Sequence, residues 1–566
     1  MWAVYKKTGI HLLLVTSLIF PALAPAIAWG NGIDGKTPAQ LYASDRRPDN
    51  NPVWGDARPI RPVLQPGSPE SGGMVSKPLL HMDTIIRQAI RENMTPGAVL
   101  LVARKGTIVK HQAYGYAVCY ADDRQTPVHP PIPAREDTIY DLASISKIFT
   151  SVAVMKLYEK GRFRLDDPVA RYIPEFAQNK KQSVTIRQLL THTSGFRSGI
   201  PLYQMGNSRE ERLQIALTYP LDHPPGTTYT YSDLNMIALG VLVERLSGQR
   251  LDQFVQKEIT GPLHMHDTFY NPPQKLKHRI AATEYQPWTG RGLVWGTVHD
   301  ENAAALDGVA GHAGVFSTAR DLAVFAHMIL MDGKYGSTRI LKKETVRLME
   351  NNYNTEFPGD DHGLGWELNQ GWYMDALSGP DAMGHTGFTG TSLVINRSQG
   401  TIAILLTNRV HPTRETASIN PLRREVARMA ADAIPVKIPG KVPAWFSGYG
   451  DQLSRSLVAS LPLSSDDRTL VFTTWHRIEP DHDQATVEFS ADGRHWFTAE
   501  QFSGNRKNWK TYAILVPEQA RFVRFHYQTN ESVNGRGWYV KDPVIETRGK
   551  TIPLHWQGEG WERRTY

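Results

Sequence analysis

Ala98-Val99-Leu100-Leu101-Val102-Ala103, the pair Lys105-Gly106, and Thr107-Ile108-Val109-Lys110-His111-Gln112 read as two short strands joined by a tight turn, because aliphatic and β-branched runs on either side of a glycine-bearing turn favour a hairpin. A helical stripe, Met82, Ile85, Ile86, Ala89 and Ile90, precedes them. The period then becomes helical. Ile145, Ile148, Phe149, Val152 and Met155 mark a helix ending at Gly161, and Leu234 to Leu246 mark another ending at Gly248, since glycine tolerates the left-handed turn that closes a helix. Strand signals return at Thr391 to Asn396 and Thr401 to Thr407, turning over Arg397-Ser398-Gln399-Gly400, before a last helix around Leu422 to Ala433. Strands at both ends with helices between them predict one sheet assembled from distant pieces, an α+β fold with a helical insertion.

On either side of this unit, expected to span residues 78–435, the texture differs. Residues 1–28 read as a secretory signal: Lys6 and Lys7 precede the apolar run Leu12 to Phe20, and Ala26-Ile27-Ala28 supplies small residues at a cleavage site. That predicts a secreted or periplasmic protein. Residues 29–77, with seven prolines from Pro38 to Pro69 among Gly, Asn and Asp, are expected to be an extended linker. Beyond Ile434, Pro435, Pro439 and Pro443 mark a boundary, and the strand-like runs Leu470 to Trp475, Ala485 to Phe489 and Phe522 to Tyr527 predict an all-β sandwich over residues 436–566. This tail resembles the jelly-roll modules of secreted bacterial hydrolases through Val487-Glu488-Phe489-Ser490-Ala491-Asp492-Gly493 with Trp496, and through Gly537-Trp538-Tyr539-Val540-Lys541-Asp542. Seven of the 14 tryptophans fall in it; they either fill the sandwich core or form a face for glycan contact.

Composition removes several classes. The chain has 566 residues, 63 Lys and Arg against 56 Asp and Glu, and 41% hydrophobic residues, which fits a globular protein rather than a disordered or polytopic membrane one. The net charge of +7 is spread without like-charge blocks, so nucleic acid is not an expected partner. One cysteine, Cys119, permits neither an internal disulfide nor a thiolate metal cluster.

The chemistry gathers on Ser144-Ile145-Ser146-Lys147. A lysine three residues after a serine on a helix shares its face and can tune or deprotonate the hydroxyl. Pro225-Gly226-Thr227-Thr228-Tyr229-Thr230-Tyr231-Ser232-Asp233 places a phenol on the loop before the next helix, and Gly384-His385-Thr386-Gly387 leads into the strand hairpin. In this order the three elements resemble the S-x-x-K, Y-x-N and K-T-G motifs of the class C β-lactamase and penicillin-binding-protein-like serine hydrolases. Thr185-Ile186-Arg187-Gln188-Leu189-Leu190-Thr191-His192-Thr193-Ser194-Gly195 and Gly308-Val309-Ala310-Gly311-His312-Ala313-Gly314 extend the likeness, which covers about residues 70–435.

The resemblance implies a β-lactamase/DD-peptidase-like mixed sheet, no cofactor and no metal. It also implies Ser144 as acylated nucleophile, Lys147 as its proton acceptor or charge-tuning partner, and Tyr231 as the base that passes the proton to the leaving group. The backbone N–H groups of Ser144 and Phe388 would form the oxyanion hole, with His385, Thr386 and Gly387 on the adjoining strand. Two positions depart from the pattern. Asp233 replaces the usual Asn and would favour a charged Lys147, shifting the acceptor role toward Tyr231. His385 replaces the usual Lys and would supply a positive charge only in acid, so a substrate carboxylate held there would bind better at low pH. The expected substrate is a small amide or ester, foremost a peptidoglycan-derived peptide cut in the manner of a D-alanyl carboxypeptidase. Esterase, muramoyl-L-alanine amidase and β-lactamase are alternatives on the same site, a non-catalytic cell-wall or penicillin-binding protein is one of another class, and a metal site at His299, Asp300, His312 and His385 is the chemical rival.

Overall fold

The computed structural model describes residues 53–464, 466–531 and 533–566; the expected signal and the first half of the expected linker lie outside them. The first elements are β1 (Gln65–Pro66), α1 (Ser76–Arg91), β2 (Gly97–Arg104), β3 (Thr107–Tyr120) and β4 (Pro127–Pro133). The helical insertion carries α2 (Ser146–Glu159), α3 (Asp233–Ser247) and α4 (Ala319–Leu330). The chain then returns through β5 (Glu367–Leu368), β6 (Ala382–Thr386), β7 (Ser392–Asn396), β8 (Thr401–Thr407) and α5 (Asn420–Asp432). The strands form one eight-stranded sheet in the order β1-β3-β2-β8-β7-β6-β5, with β4 added to β3. Its centre is the antiparallel pairing of β2 with β8, Ala98 opposite Thr407 through Arg104 opposite Thr401.

Both faces of this sheet are covered, which is why β2 and β8 are almost continuously apolar instead of alternating with polar residues. Val99, Leu101, Ile402, Ile404 and Leu406 face the core shared with the insertion, where Phe149 of α2 stacks on Phe325 of α4 at 4.3 Å between centroids. Ala98, Leu100, Val102, Ala403 and Leu405 face the other way, under α1 and α5. Burying each Leu or Ile contributes about 1.5–3 kcal/mol, so the two-sided burial of these strands holds β2 to β8 although no turn joins them directly.

The proline-rich stretch is not an extended tether from residue 53 onward. Trp54, Leu64 and Met74 are buried, and Gln65 and Pro66 pair in parallel with Thr107 and Ile108. Arg104 explains this. Its fully buried guanidinium donates to the carbonyls of Gly72 (3.1 Å) and Gly73 (2.8 Å) and meets Asp56 at 3.1 Å, so the segment supplies the acceptors that a buried cation requires.

The tail contains β9 (Ala444–Phe446), β10 (Ser454–Ser460), β11 (Thr469–Arg477), β12 (Gln484–Ser490), β13 (Phe497–Phe502), β14 (Lys510–Leu515), β15 (Phe522–Gln528), β16 (Gly537–Thr547), β17 (Lys550–Pro553) and β18 (Glu562–Arg564). A six-stranded sheet, β14-β11-β16-β9-β18 with β17 on β16, faces the four-stranded β10-β15-β12-β13. Four of the seven tail tryptophans are spent on packing: Trp538, Trp556 and Trp561 fill the sandwich core, and Trp475 packs with Phe446 and Tyr539 into the cluster beneath α1 and α5. Charge ties the same junction. Asp432 at the end of α5 is buried and meets Arg536 at 2.9 Å and Arg564 at 2.6 Å. Burial works against the Asp432 carboxylate, but the two guanidiniums outweigh it and hold its pKa below the ordinary value.

Asp432→Asn leaves buried Arg536 short of its counter-charge, and such a loss costs about 3–5 kcal/mol. The expected result is a lower denaturant midpoint for the full chain at neutral pH, read by intrinsic fluorescence; an unchanged midpoint would show that the junction does not depend on this pair.

Candidate active site

Tyr140 and Asp141 pair with Ser317 and Phe316, and the Leu142 N–H donates to the Val315 carbonyl. The chain then turns sharply. Ala143 sits at φ 48°, a left-handed conformation that costs a non-glycine residue on the order of 1 kcal/mol, and its N–H donates to Asp141 Oδ1 at 2.9 Å. Residues 143–145 form a 3₁₀ turn that runs directly into α2, setting Ser144 at the helix entrance and Lys147 on its first turn. The loop 308–314 crosses α3 so closely that a side chain on Gly311 would meet the Met236 carbonyl at 1.8 Å. Only glycine fits there, and the crossing aims the His312 carbonyl at Lys147.

Lys147 is buried and makes three close polar contacts. Its Nζ lies 2.9 Å from Ser144 Oγ, 3.2 Å from the His312 carbonyl and 2.8 Å from Asp233 Oδ1. Burial alone would discharge the amine, but the Asp233 carboxylate and the Tyr231 hydroxyl outweigh it and raise its pKa above the ordinary value. Lys147 is therefore an ammonium ion with its three protons directed at acceptors. Its Nζ also lies 4.7 Å from the centroid of the Tyr231 ring. Burial pushes the Tyr231 phenol up to about 12, Lys147 opposing and Asp233 reinforcing the shift.

His192 sets the Tyr231 loop. Its Nδ1 accepts the Ser232 N–H at 3.1 Å, and its ring packs on Tyr231 at 4.8 Å between centroids. The strand side is fastened to the nucleophile turn: Thr389 Oγ1 donates to the Asp141 carbonyl at 2.7 Å and Thr391 Oγ1 to the Leu142 carbonyl at 3.0 Å. A side chain on Gly387 would meet that same Leu142 carbonyl at 2.3 Å. The stitching brings Phe388 beside Ser144 on the wall of a cleft of about 370 Å³. The Phe388 ring is half exposed, with His299 stacked on it at 5.6 Å and the Arg409 and Arg414 guanidiniums over it at 5.7 and 5.4 Å.

His385 does not supply the expected positive charge. It is buried, its Nδ1 lies 2.7 Å from the Thr386 carbonyl, and burial together with the nearby Lys147 charge pushes its pKa down to about 3. The cations of the cleft are instead Arg409 and Arg423. The other histidines of the metal reading are occupied separately: His299 Nε2 lies 2.9 Å from Glu284 and His312 Nε2 lies 2.8 Å from Asp300.

A family model described as Beta-lactamase matches residues 82–428, more than half of the chain. The chain belongs to the β-lactamase family. It is 34% identical over 393 residues to "Putative D-alanyl-D-alanine carboxypeptidase" of Escherichia coli strain K12, covering 64% of this chain and 89% of that one. A Salmonella typhi protein of the same name is 33% identical over the same length, with the same coverage. Among solved structures, a class C β-lactamase mutant superposes with a TM-score of 0.51 at 19% identity, covering 62% of this chain and 97% of that one. The matches make this enzyme a serine hydrolase.

The β-lactamase-family site includes residues that sequence reasoning missed. Glu367 and Trp372 reach the cleft from the segment before β6, Arg409 from the end of β8, and Asn420 and Arg423 from the start of α5. Their spacing carries no motif, and only the closed sheet brings them to Ser144. Burial pushes the Glu367 carboxyl up to about 7, against the Tyr373 hydroxyl and the Arg423 and Lys147 charges.

With its pKa depressed well under the ordinary value of about 6.5, His385 is expected to remain neutral from about pH 5 to about pH 8. Histidine-selective ¹⁵N spectra of the native chain, assigned with His385→Gln, should show an Nδ1-protonated neutral ring throughout; a His385 signal titrating near pH 6 would restore the acid-dependent cation.

Proposed function

We propose that this serine hydrolase cleaves the D-alanyl end of peptidoglycan-derived peptides outside the cytoplasm, forming an acyl-enzyme on Ser144. The observation that carries this reading is the arrangement of Lys147, 2.9 Å from Ser144 Oγ and ion-paired to Asp233 at 2.8 Å. An ammonium so engaged stabilises negative charge on Oγ and has no lone pair to accept a proton, which leaves the acceptor role to Tyr231 in its phenolate form, favoured by the Lys147 charge against the burial that opposes it. Ser144 Oγ attacks the carbonyl carbon, its proton passes toward Tyr231, and the carbonyl oxygen takes the charge between the Ser144 and Phe388 N–H groups. Collapse breaks the C–N bond as the Tyr231 proton moves to the departing amine. Water then attacks the ester, losing a proton along the same path, and frees Ser144.

Arg409 and Arg423 favour a substrate with a carboxylate, as a D-alanyl peptide has; the Arg423 guanidinium is itself held by the Gly387 and Thr391 carbonyls at 2.6 and 2.9 Å. The names of the Escherichia coli and Salmonella relatives point the same way. The signal features of residues 1–28 would deliver the chain to the compartment where such peptides occur.

Intact-protein mass after brief exposure to benzylpenicillin tests the site. One adduct on the native chain and none on Ser144→Ala is expected; unmodified native protein with intact drug would remove the D-alanyl reading. Asp233→Asn tests the charge arrangement. Removing that carboxylate lowers the pKa of both Lys147 and Tyr231, so the acid limb of the kcat/KM profile is expected to move down by about one pH unit, corresponding to about 1.4 kcal/mol. An upward shift would contradict the assigned roles.

A further inference from the structure

Glu367 has no role in the acyl-transfer steps, yet it lines the same cleft as Ser144 and Tyr231. Its position is fixed by the sheet: β5 pairs with β6, placing Glu367 opposite Gly384, directly before His385. The residue is partly exposed and its Oε2 is buried, with the neutral Tyr373 hydroxyl beside the carboxyl and no cation paired to it among the described residues. Among the described residues no cation lies within 4.0 Å of it. Neither positive charge that acts on it forms an ion pair with it: Arg423 points its Nη atoms at Asn420 and the Gly387 and Thr391 carbonyls, and Lys147 is paired to Asp233. An acid in this position pays for its burial unless a ligand brings the missing counter-charge.

We infer that Glu367 gives the cleft a receptor for a primary ammonium group, so that the favoured substrate carries a free amine close to the bond that is cut. An ammonium can donate to both carboxylate oxygens through short, charge-assisted hydrogen bonds, whereas an acetylated amine offers one neutral donor and more bulk. With Arg409 and Arg423 in the same cleft, the site is dipolar and suits a substrate bearing both an ammonium and a carboxylate. This rests on the proposed peptidase reading for the identity of the scissile bond. The amine itself has two possible sources, the α-amine of a short peptide or the side-chain amine of a diamino acid beside the D-alanyl unit.

Three tripeptides of the form Lys-D-Ala-D-Ala, acetylated on the α-amine, on the side-chain amine or on both, separate these sources. With the native chain, kcat/KM for one of the singly acetylated peptides is expected to exceed that for the doubly acetylated peptide by about tenfold, mainly through KM, and the better peptide identifies the amine recognised. In Glu367→Gln that ratio should collapse toward one, and in Glu367→Asp part of it should survive. A native ratio near one, or a ratio that Glu367→Gln leaves intact, overturns the inference. Calorimetric binding of the same peptides to Ser144→Ala keeps the two readings apart. Amine-dependent binding with no turnover by the native chain would sink the D-alanyl peptidase reading and leave the receptor standing, whereas equal or absent binding of all three would sink the receptor.

Discussion

A buried ammonium needs acceptors in several directions, and at Lys147 that need organises the site. One acceptor is Ser144 on its own helical turn, one is the His312 carbonyl on a loop that glycine alone lets cross α3, and one is Asp233 at the start of α3. These contacts join the nucleophile turn, the 308–314 loop and the Tyr231 loop around a single charge. Each partner is braced in turn: Asp141 caps the Ser144 turn, Ser146 Oγ accepts the Val315 N–H at 3.0 Å, and His192 holds the Ser232 N–H. Charge therefore does locally what the apolar core does globally, by favouring the one geometry in which the buried ammonium meets all three of its acceptors.

The parts of the molecule legible in the sequence were those with a local cause. The β2 and β3 hairpin, the hairpin over Arg397 to Gly400, and the helices ending near Gly161 and Gly248 all have turn or cap chemistry within a few residues. Ser144, Tyr231 and Thr386 to Phe388 line one cleft, with Lys147 between Ser144 and Asp233 and His385 beside Tyr231, and the Asp233 carboxylate favours the charged Lys147. What failed depended on tertiary burial. Histidine at position 385 reads as a titratable cation until it is known to be enclosed, and the prolines before Pro69 read as a tether until Arg104 is known to need their neighbours as acceptors. Glu367, Arg409 and Arg423 were invisible because their meeting is a property of strand order alone.

The sandwich and the hydrolase unit share a hydrophobic cluster and a set of ion pairs, and several of those contacts reach the cleft's supports. Arg477 of the sandwich donates to the Ala376 and Ser378 carbonyls at 3.1 and 2.5 Å, just beyond the segment that carries Trp372, and Asp451 receives Arg424 from the helix that carries Arg423. The tail thus acts as a buttress, with Trp475, Trp538, Trp556 and Trp561 spent on packing.

The pairing of β2 with β8 also has a consequence in time. A ribosome adding about 5–20 residues each second makes the innermost strand of the sheet early and its partner about 300 residues later, so for tens of seconds β2 has an open edge where the finished protein has its centre. The helices that surround Ser144 are complete once Leu330 has been added, before either Phe388 or Arg423 is made. Closure of the sheet and completion of the active site are consequently a single late event, and a chain interrupted anywhere before Thr401 has neither.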